Sequence, residues 1–106
     1  HEVARIAKNS GFSEDDIEKV FDHVFINEYV LSGETKRFDP SYDMAESWRR
    51  LSEGKEIQKH DVTLLRHELH EYGLMREGYS YTTAHEMTNE LYNYQMELEK
   101  WKKKMR

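Results

Sequence analysis

The one proline and five glycines of this 106-residue chain fall at Gly11, Gly33, Pro40, Gly54, Gly73 and Gly78. Glycine and proline are the strongest local punctuators of regular structure. Here they stand far apart, and apolar residues fill the stretches between them at three- and four-residue intervals. That pattern constrains the chain to a mainly α fold, a small bundle of about five helices.

The first helix is "EVARIAKNS", closed by Gly11. The second is "FSEDDIEKVFDHVF", with Ser13 as N-cap and Glu14, Asp15 and Asp16 at the positive end of the dipole. Ile17, Val20, Phe21, Val24 and Phe25 form its apolar stripe. The period breaks at "NEYVLSGETKRF", which predicts a short hairpin or extended loop near residues 28–38, turning at Ser32-Gly33. A third helix follows, with Asp39 as N-cap, Pro40 in the first position, Met44, Trp48 and Leu51 on one face, and Gly54 at its end. Asp61 is the expected cap of a fourth helix running to Gly78, with Val62, Leu65, Leu69 and Tyr72 as its stripe, helped by Leu64 and Met75. Gly73 inside it is a weak spot or a close-packing point. Ser80 or Thr82 caps the last helix. Its stripe, Ala84, Met87, Leu91, Tyr94, Leu98 and Trp101, predicts one continuous face of about five turns.

The length fits one domain, residues 1–106, with a modest core. The first residue is His1, not an initiator methionine, and the expectation is the C-terminal part of a longer protein. With no cysteine, disulfides, thiolate metal sites and cysteine nucleophiles are excluded. No apolar run approaches a membrane span, and no signal-peptide pattern is present. The net charge is −5, and five of the 16 basic residues lie in the terminal "KWKKKMR". Residues 1–99 alone carry 11 basic and 21 acidic side chains, a net charge of −10. Such a body repels phosphate backbones, which counts against coating nucleic acid but not against an enzyme gripping a few phosphates. The terminal cations suit a helix C-terminus, with nucleic-acid or membrane contact as the alternative.

Four of the six histidines lie between His60 and Tyr94. His67 and Glu71, four apart, share a helix face, and Glu68 flanks it. On the next helix His85, Asn89 and Tyr92 stack at i, i+4 and i+7. A short link, "GYSY", makes these two helices antiparallel neighbours, so His67, Glu68, Glu71 and His85 can meet in one cleft. Two chemistries fit. Imidazoles and carboxylates from facing helices suit a divalent metal, with His67, Glu71 and His85 as candidate ligands. Alternatively His67 and His85 share acid and base duties, oriented by Glu68 and Glu71. Phosphodiester cleavage also needs a cation on the phosphoryl oxygens, for which Arg37, Arg49, Arg50 and Arg66 are available. Arg37 is the chosen one, with Asp39, Asn89, Tyr92 and Tyr94 as substrate-binding candidates. Tyr72 and Tyr94 also fit apolar stripes, and Trp48 and Trp101 read as core. His67-Glu68-Leu69-His70 is one residue short of the zinc-protease signature H-E-x-x-H, and ligands three apart align less well than ligands four apart. The bland alternative is two helices whose polar faces are simply solvated.

The order of signals narrows the choice. Arg37-Phe38-Asp39-Pro40 comes first, then a helix with Trp48 ending at Gly54. Leu64-Leu65-x-His67-Glu68-x-x-Glu71, Ala84-His85 and Tyr92-Asn93-Tyr94 follow. This pattern, over about Ile17 to Tyr94, resembles the C-terminal toxin domains of bacterial polymorphic toxins, including LXG-type and phage-associated ones. His70 is not part of the pattern. The resemblance implies an effector secreted or delivered into the cytoplasm of a competing bacterium and neutralised by a cognate immunity protein. Such toxins are frequently nucleases, often ribonucleases. The expectation is therefore a nuclease toxin acting on RNA before DNA, with a divalent metal as candidate cofactor. The rivals are a metal-dependent hydrolase of another kind, such as a peptidase, and a non-enzymatic helical interaction module.

Overall fold

The structure, a computed structural model, describes residues 2–31, 34–37 and 41–105; for 28–31 and 34–37 it describes the backbone. Helix α1 (Glu2–Ser10) buries Val3, Ile6 and Ala7, the i, i+3, i+4 spacing of one face. Helix α2 (Glu14–Phe21) starts as its sequence requires, with Ser13 Oγ accepting the Asp16 N–H at 3.0 Å. It does not continue as a regular α-helix. Asp22–Ile26 form a π-helical turn, π1, closed by the Asn27 N–H donating to the Asp22 carbonyl at 2.7 Å. The widened turn carries His23 and Val24 into the interior.

The broken period produces the expected hairpin. Strand β1 (Glu28–Leu31) pairs antiparallel with β2 (Glu34–Arg37), Glu28 opposite Arg37 and Leu31 opposite Glu34. The hairpin lies against π1 and, further along the chain, α5 (Tyr81–Leu91). The expected turn residues Ser32-Gly33 and the expected cap Asp39-Pro40 lie outside the described residues.

Helix α3 (Tyr42–Glu53) is capped by Ser41, whose Oγ accepts the Met44 N–H at 3.3 Å, and not by Asp39. A hydroxyl directly before the first helical residue reaches that N–H, and Asp39 stands two residues too early. Gly54 ends α3 at φ +72°, a left-handed position that favours glycine.

Helix α4 (Lys59–Arg76) is central, touching α2, π1, α3, α5 and α6 (Tyr94–Lys104). It begins earlier than a cap at Asp61 allows. Gln58 takes the cap position, and Asp61 sits one turn inside, accepting the Gln58 N–H at 2.8 Å. Because partners surround it, α4 buries polar as well as apolar residues: His60, Asp61, Thr63, His67, Glu68 and Glu71 beside Leu64 and Leu65.

The last expected helix is two. After α5, capped by Ser80, Tyr92 leaves helical geometry (φ −134°, ψ 84°). Asn93 restarts α6 by accepting the Met96 N–H at 3.0 Å. Leu91, the last residue of α5 and expected on the apolar stripe, is 64% exposed, while Thr88 is fully buried. Contacts Glu71–His85, His70–Thr88 and Thr63–Glu97 descend α4 as they ascend the partner segments, so these run antiparallel to α4.

The main core joins Val3, Ile6, Ile17, Val20, Val24, Trp48, Leu51 and Leu65. A smaller cluster joins Leu64, Tyr94 and Leu98, with Met44 and Trp101 against it. Full burial of each large aliphatic side chain contributes about 1.5–3 kcal/mol. Among the described residues, no helix is long and apolar enough to cross a membrane.

Candidate functional site

The Glu71 carboxylate, nearly fully buried on α4, is the hub of a polar cluster. Its Oε2 meets His85 Nδ1 at 2.8 Å and His67 Nε2 at 3.2 Å. Its Oε1 meets His23 Nε2 at 2.8 Å. Glu68 Oε2 lies 3.4 Å from the same His23 nitrogen. Three helical segments therefore supply the site: α4 gives His67, Glu68 and Glu71, α5 gives His85, and π1 gives His23.

The break between α5 and α6 contributes directly. Where Tyr92 leaves the helix its carbonyl is released from the ladder. His67 Nδ1–H donates to it at 2.8 Å. That bond fixes the His67 tautomer and orients Nε2 toward Glu71. With Nδ1–H committed, the Nε2–Glu71 contact needs either a second proton, making His67 an imidazolium, or a cation between the two atoms.

Charge is unevenly shared. Burial pushes Glu71 up, but hydrogen bonds from His23, His67 and His85 outweigh it and hold the carboxyl well below its usual range. Burial and the charge of Glu71 push Glu68 up to about 8, with His67 opposing. The two adjacent buried carboxyls are thus pushed in opposite directions, Glu71 toward its charged form and Glu68 toward its neutral form. Burial works against a charged His67, but Glu71, Glu68 and the Tyr92 carbonyl outweigh it and raise its pKa.

One ligand atom from each of His67, Glu71 and His85 lies within 4.8 Å of the other two, and the same holds for His23, Glu68 and Glu71. Zinc–nitrogen and zinc–oxygen bonds of about 2.0–2.2 Å put tetrahedral ligands about 3.3 Å apart. The observed 2.8 and 3.2 Å on Glu71 Oε2 are close to that spacing, with the two histidine nitrogens within 4.8 Å of each other. His67 is buried, while the His85 side chain is 41% exposed, so the cluster opens to solvent on the α5 side. Tyr81 stacks on His85, ring centroids 5.4 Å apart. Burial, followed by Glu71 and Glu68, pushes its phenol up to about 12, so it keeps its proton.

The structure thus brings His67, Glu68, Glu71 and His85 together, as the spacing predicts. Arg37 ends β2, on the hairpin that lies against α5 and π1. Its side chain and Asp39 lie outside what is described. Asn89 follows His85 by one turn and is half-buried. Tyr92 acts through its backbone carbonyl, and its ring meets His70 edge-on. Tyr94 is a core residue and is not presented to a substrate: it is buried against Leu64 and Leu98, its hydroxyl 2.9 Å from Ser47 Oγ.

His70 turns away, its Nδ1 3.0 Å from Thr88 Oγ1 and not on Glu71, from which one position separates it by about 100° around the helix. Arg49 bonds Glu46 and Glu53 on the surface, and Arg50 is buried in a two-bond pair with Asp61 at 2.7 Å. Of the four cations considered for the phosphate, those two serve the fold. Sequence reasoning missed His23 and Tyr81. For His23 the signal was a histidine among the apolar Val20, Phe21, Val24 and Phe25. For Tyr81 it was an aromatic four residues before His85.

No family model, no curated protein and no solved structure matches the chain.

Proposed function

We propose that this chain is a metal-dependent hydrolase centred on Glu71, and that its substrate is a nucleic-acid phosphodiester, RNA before DNA. In this reading it is an antibacterial toxin effector, delivered into a competing cell and restrained by a cognate immunity protein.

The observation that carries the hydrolase reading is the convergence of His67 Nε2 and His85 Nδ1 on one oxygen of Glu71. Between an acid–base histidine pair and a metal set, the surroundings favour the metal. Both nitrogens of His67 are engaged and the residue is 4% exposed, so it is placed to hold an ion and not to exchange protons with a substrate. His67, Glu71 and His85 are then the protein ligands, and three ligands leave a position for water or substrate. Held by these residues, a divalent ion would supply a water of pKa about 7 as a nucleophile at neutral pH. Tyr81 stacks on His85 beside the opening and keeps its proton. Arg37 is the proposed contact for the scissile phosphate.

The nuclease and toxin parts rest on the ordered pattern from Arg37 to Tyr94. The acidic body is compatible with it, because a bound cation reverses the local field where a phosphate must approach.

The test is induced expression in bacteria lacking an immunity protein, wild type beside His85→Ala, with growth and the integrity of RNA and DNA followed. Growth arrest with RNA fragmentation, both lost in the variant, is expected. Uninterrupted growth with soluble, folded wild-type protein overturns the toxin reading. Arrest with intact RNA and DNA overturns the nuclease reading.

A further inference from the structure

We propose that Glu71 bridges two divalent cations, the second held by His23, Glu68 and the Oε1 side of Glu71. The inference rests on the reading that a first ion sits on His67, His85 and Oε2.

Each of the two ligand sets contains Glu71 and shares no other member, and the sets use its opposite oxygens. His23 Nε2 lies 2.8 Å from Oε1 and 3.4 Å from Glu68 Oε2. All three residues of the second set are buried, His23 completely. Two carboxylates and an imidazole enclosed this closely are an oxygen- and nitrogen-donor set suited to zinc, manganese or iron(II). A cation there would sit where the His23 nitrogen and both carboxylates already converge. A carboxylate bound through both oxygens fits the separation of about 3.5–4 Å found in two-metal sites. Such pairs hold the attacking and leaving oxygens of an in-line displacement at phosphorus, the chemistry of phosphodiester cleavage. The π turn gives His23 its purpose, since it swings this side chain onto the oxygen that α5 does not reach.

The experiment is metal titration of the chelator-stripped full chain, zinc counted by mass spectrometry and manganese(II) followed by electron paramagnetic resonance. Wild type is expected to bind two ions per chain, with the spectrum of an exchange-coupled manganese pair. His23→Gln and, independently, Glu68→Gln should each bind one ion and show an uncoupled spectrum. His85→Ala should also retain one. Helical circular dichroism identifies the folded variants, and the wild-type spectrum needs none of them. One ion per chain, lost in His85→Ala and kept in His23→Gln, overturns the bridge and leaves the proposed hydrolase intact. No bound ion overturns both. Two uncoupled ions, or two that persist in both His23→Gln and Glu68→Gln, overturn the placement.

Discussion

His23 and Glu71, 48 residues apart in the chain, meet at 2.8 Å in a region where both are almost wholly buried. Neither is there for apolar packing. An imidazole and a carboxylate removed from water are tolerated because each satisfies the other, and because His67 and His85 share the second carboxylate oxygen. The hub is therefore a structural element even before any chemistry is assigned to it.

Removing it should be costly. Glu71→Ala removes the carboxylate shared by His67 and His85 and leaves His23 only the longer contact to Glu68, and breaking a buried pair in this way costs about 3–5 kcal/mol. Glu71→Gln keeps the shape and one acceptor, so it should lose less. Urea unfolding of the chelator-stripped proteins measures both. An unchanged midpoint for Glu71→Ala would show the hub to be irrelevant to folding.

A second buried pair behaves similarly, without the chemistry. Arg50 clasps Asp61 through two bonds of 2.7 Å, with its guanidinium over Trp101. Arg50→Ala should destabilise by about 3 kcal/mol or more, and the apolar double variant Arg50→Met with Asp61→Leu should recover more than half of that. A double variant as unstable as the single one contradicts this account.

The contributions of His60 and Asp61 to stability should each be lost on acidification, in separate windows. Burial, helped by Arg50 and opposed by Asp61, depresses the folded pKa of His60 below its ordinary 6.5. As pH falls below that value the unfolded chain takes up the proton first, and stability is lost. Burial raises Asp61, but Arg50, the Gln58 N–H and Ser47 outweigh it and depress its pKa below 3.8. Its contribution is present above that value and is lost as pH falls through the folded pKa. Between about pH 7 and about pH 5, wild type should lose Tm relative to His60→Gln, since the raised Glu68 and His67 act equally in both. A difference that does not change with pH would remove His60 from the account.

Gly73 lies in α4 with open space where a Cβ would stand and no left-handed backbone. Of its two expected roles it is thus the weak spot and not a close-packing point. Gly73→Ala should add about 1 kcal/mol of stability. Gly54→Ala should do the opposite, since φ is +72° and the new Cβ would lie 2.9 Å from Asn9 Nδ2. Thermal unfolding of the two variants separates the cases.

Much of this fold was legible because it is local. Apolar stripes placed the helices, Ser13 and Ser80 marked two starts, and the loss of period at Tyr29–Leu31 marked the hairpin. His67, Glu71 and His85 were legible because one helical turn and one short link place them. What escaped was non-local or silent in the pattern. The 3–4 spacing of Ala84 through Trp101 runs unchanged across the break at Tyr92, so the break carried no hydrophobic signal; only Asn93, a good cap, hinted at it. Asp39 and Asp61 were read as caps because acids favour helix starts, yet Ser41 and Gln58 hold those positions. His23 depends on a π turn and a partner 48 residues away, and neither is written in its neighbours.

The most direct measurement is cleavage of defined RNA by the purified chain, with chelator, with zinc or manganese(II) restored, and with His85→Ala in parallel. The account predicts cleavage that chelator abolishes, that added metal restores, and that falls at least about 100-fold in the variant, in line with losing a group that holds the reacting centre. Cleavage indifferent to chelator and to His85→Ala would contradict a metal centre on Glu71. Absence of cleavage by folded, metal-loaded protein would contradict the nuclease assignment itself.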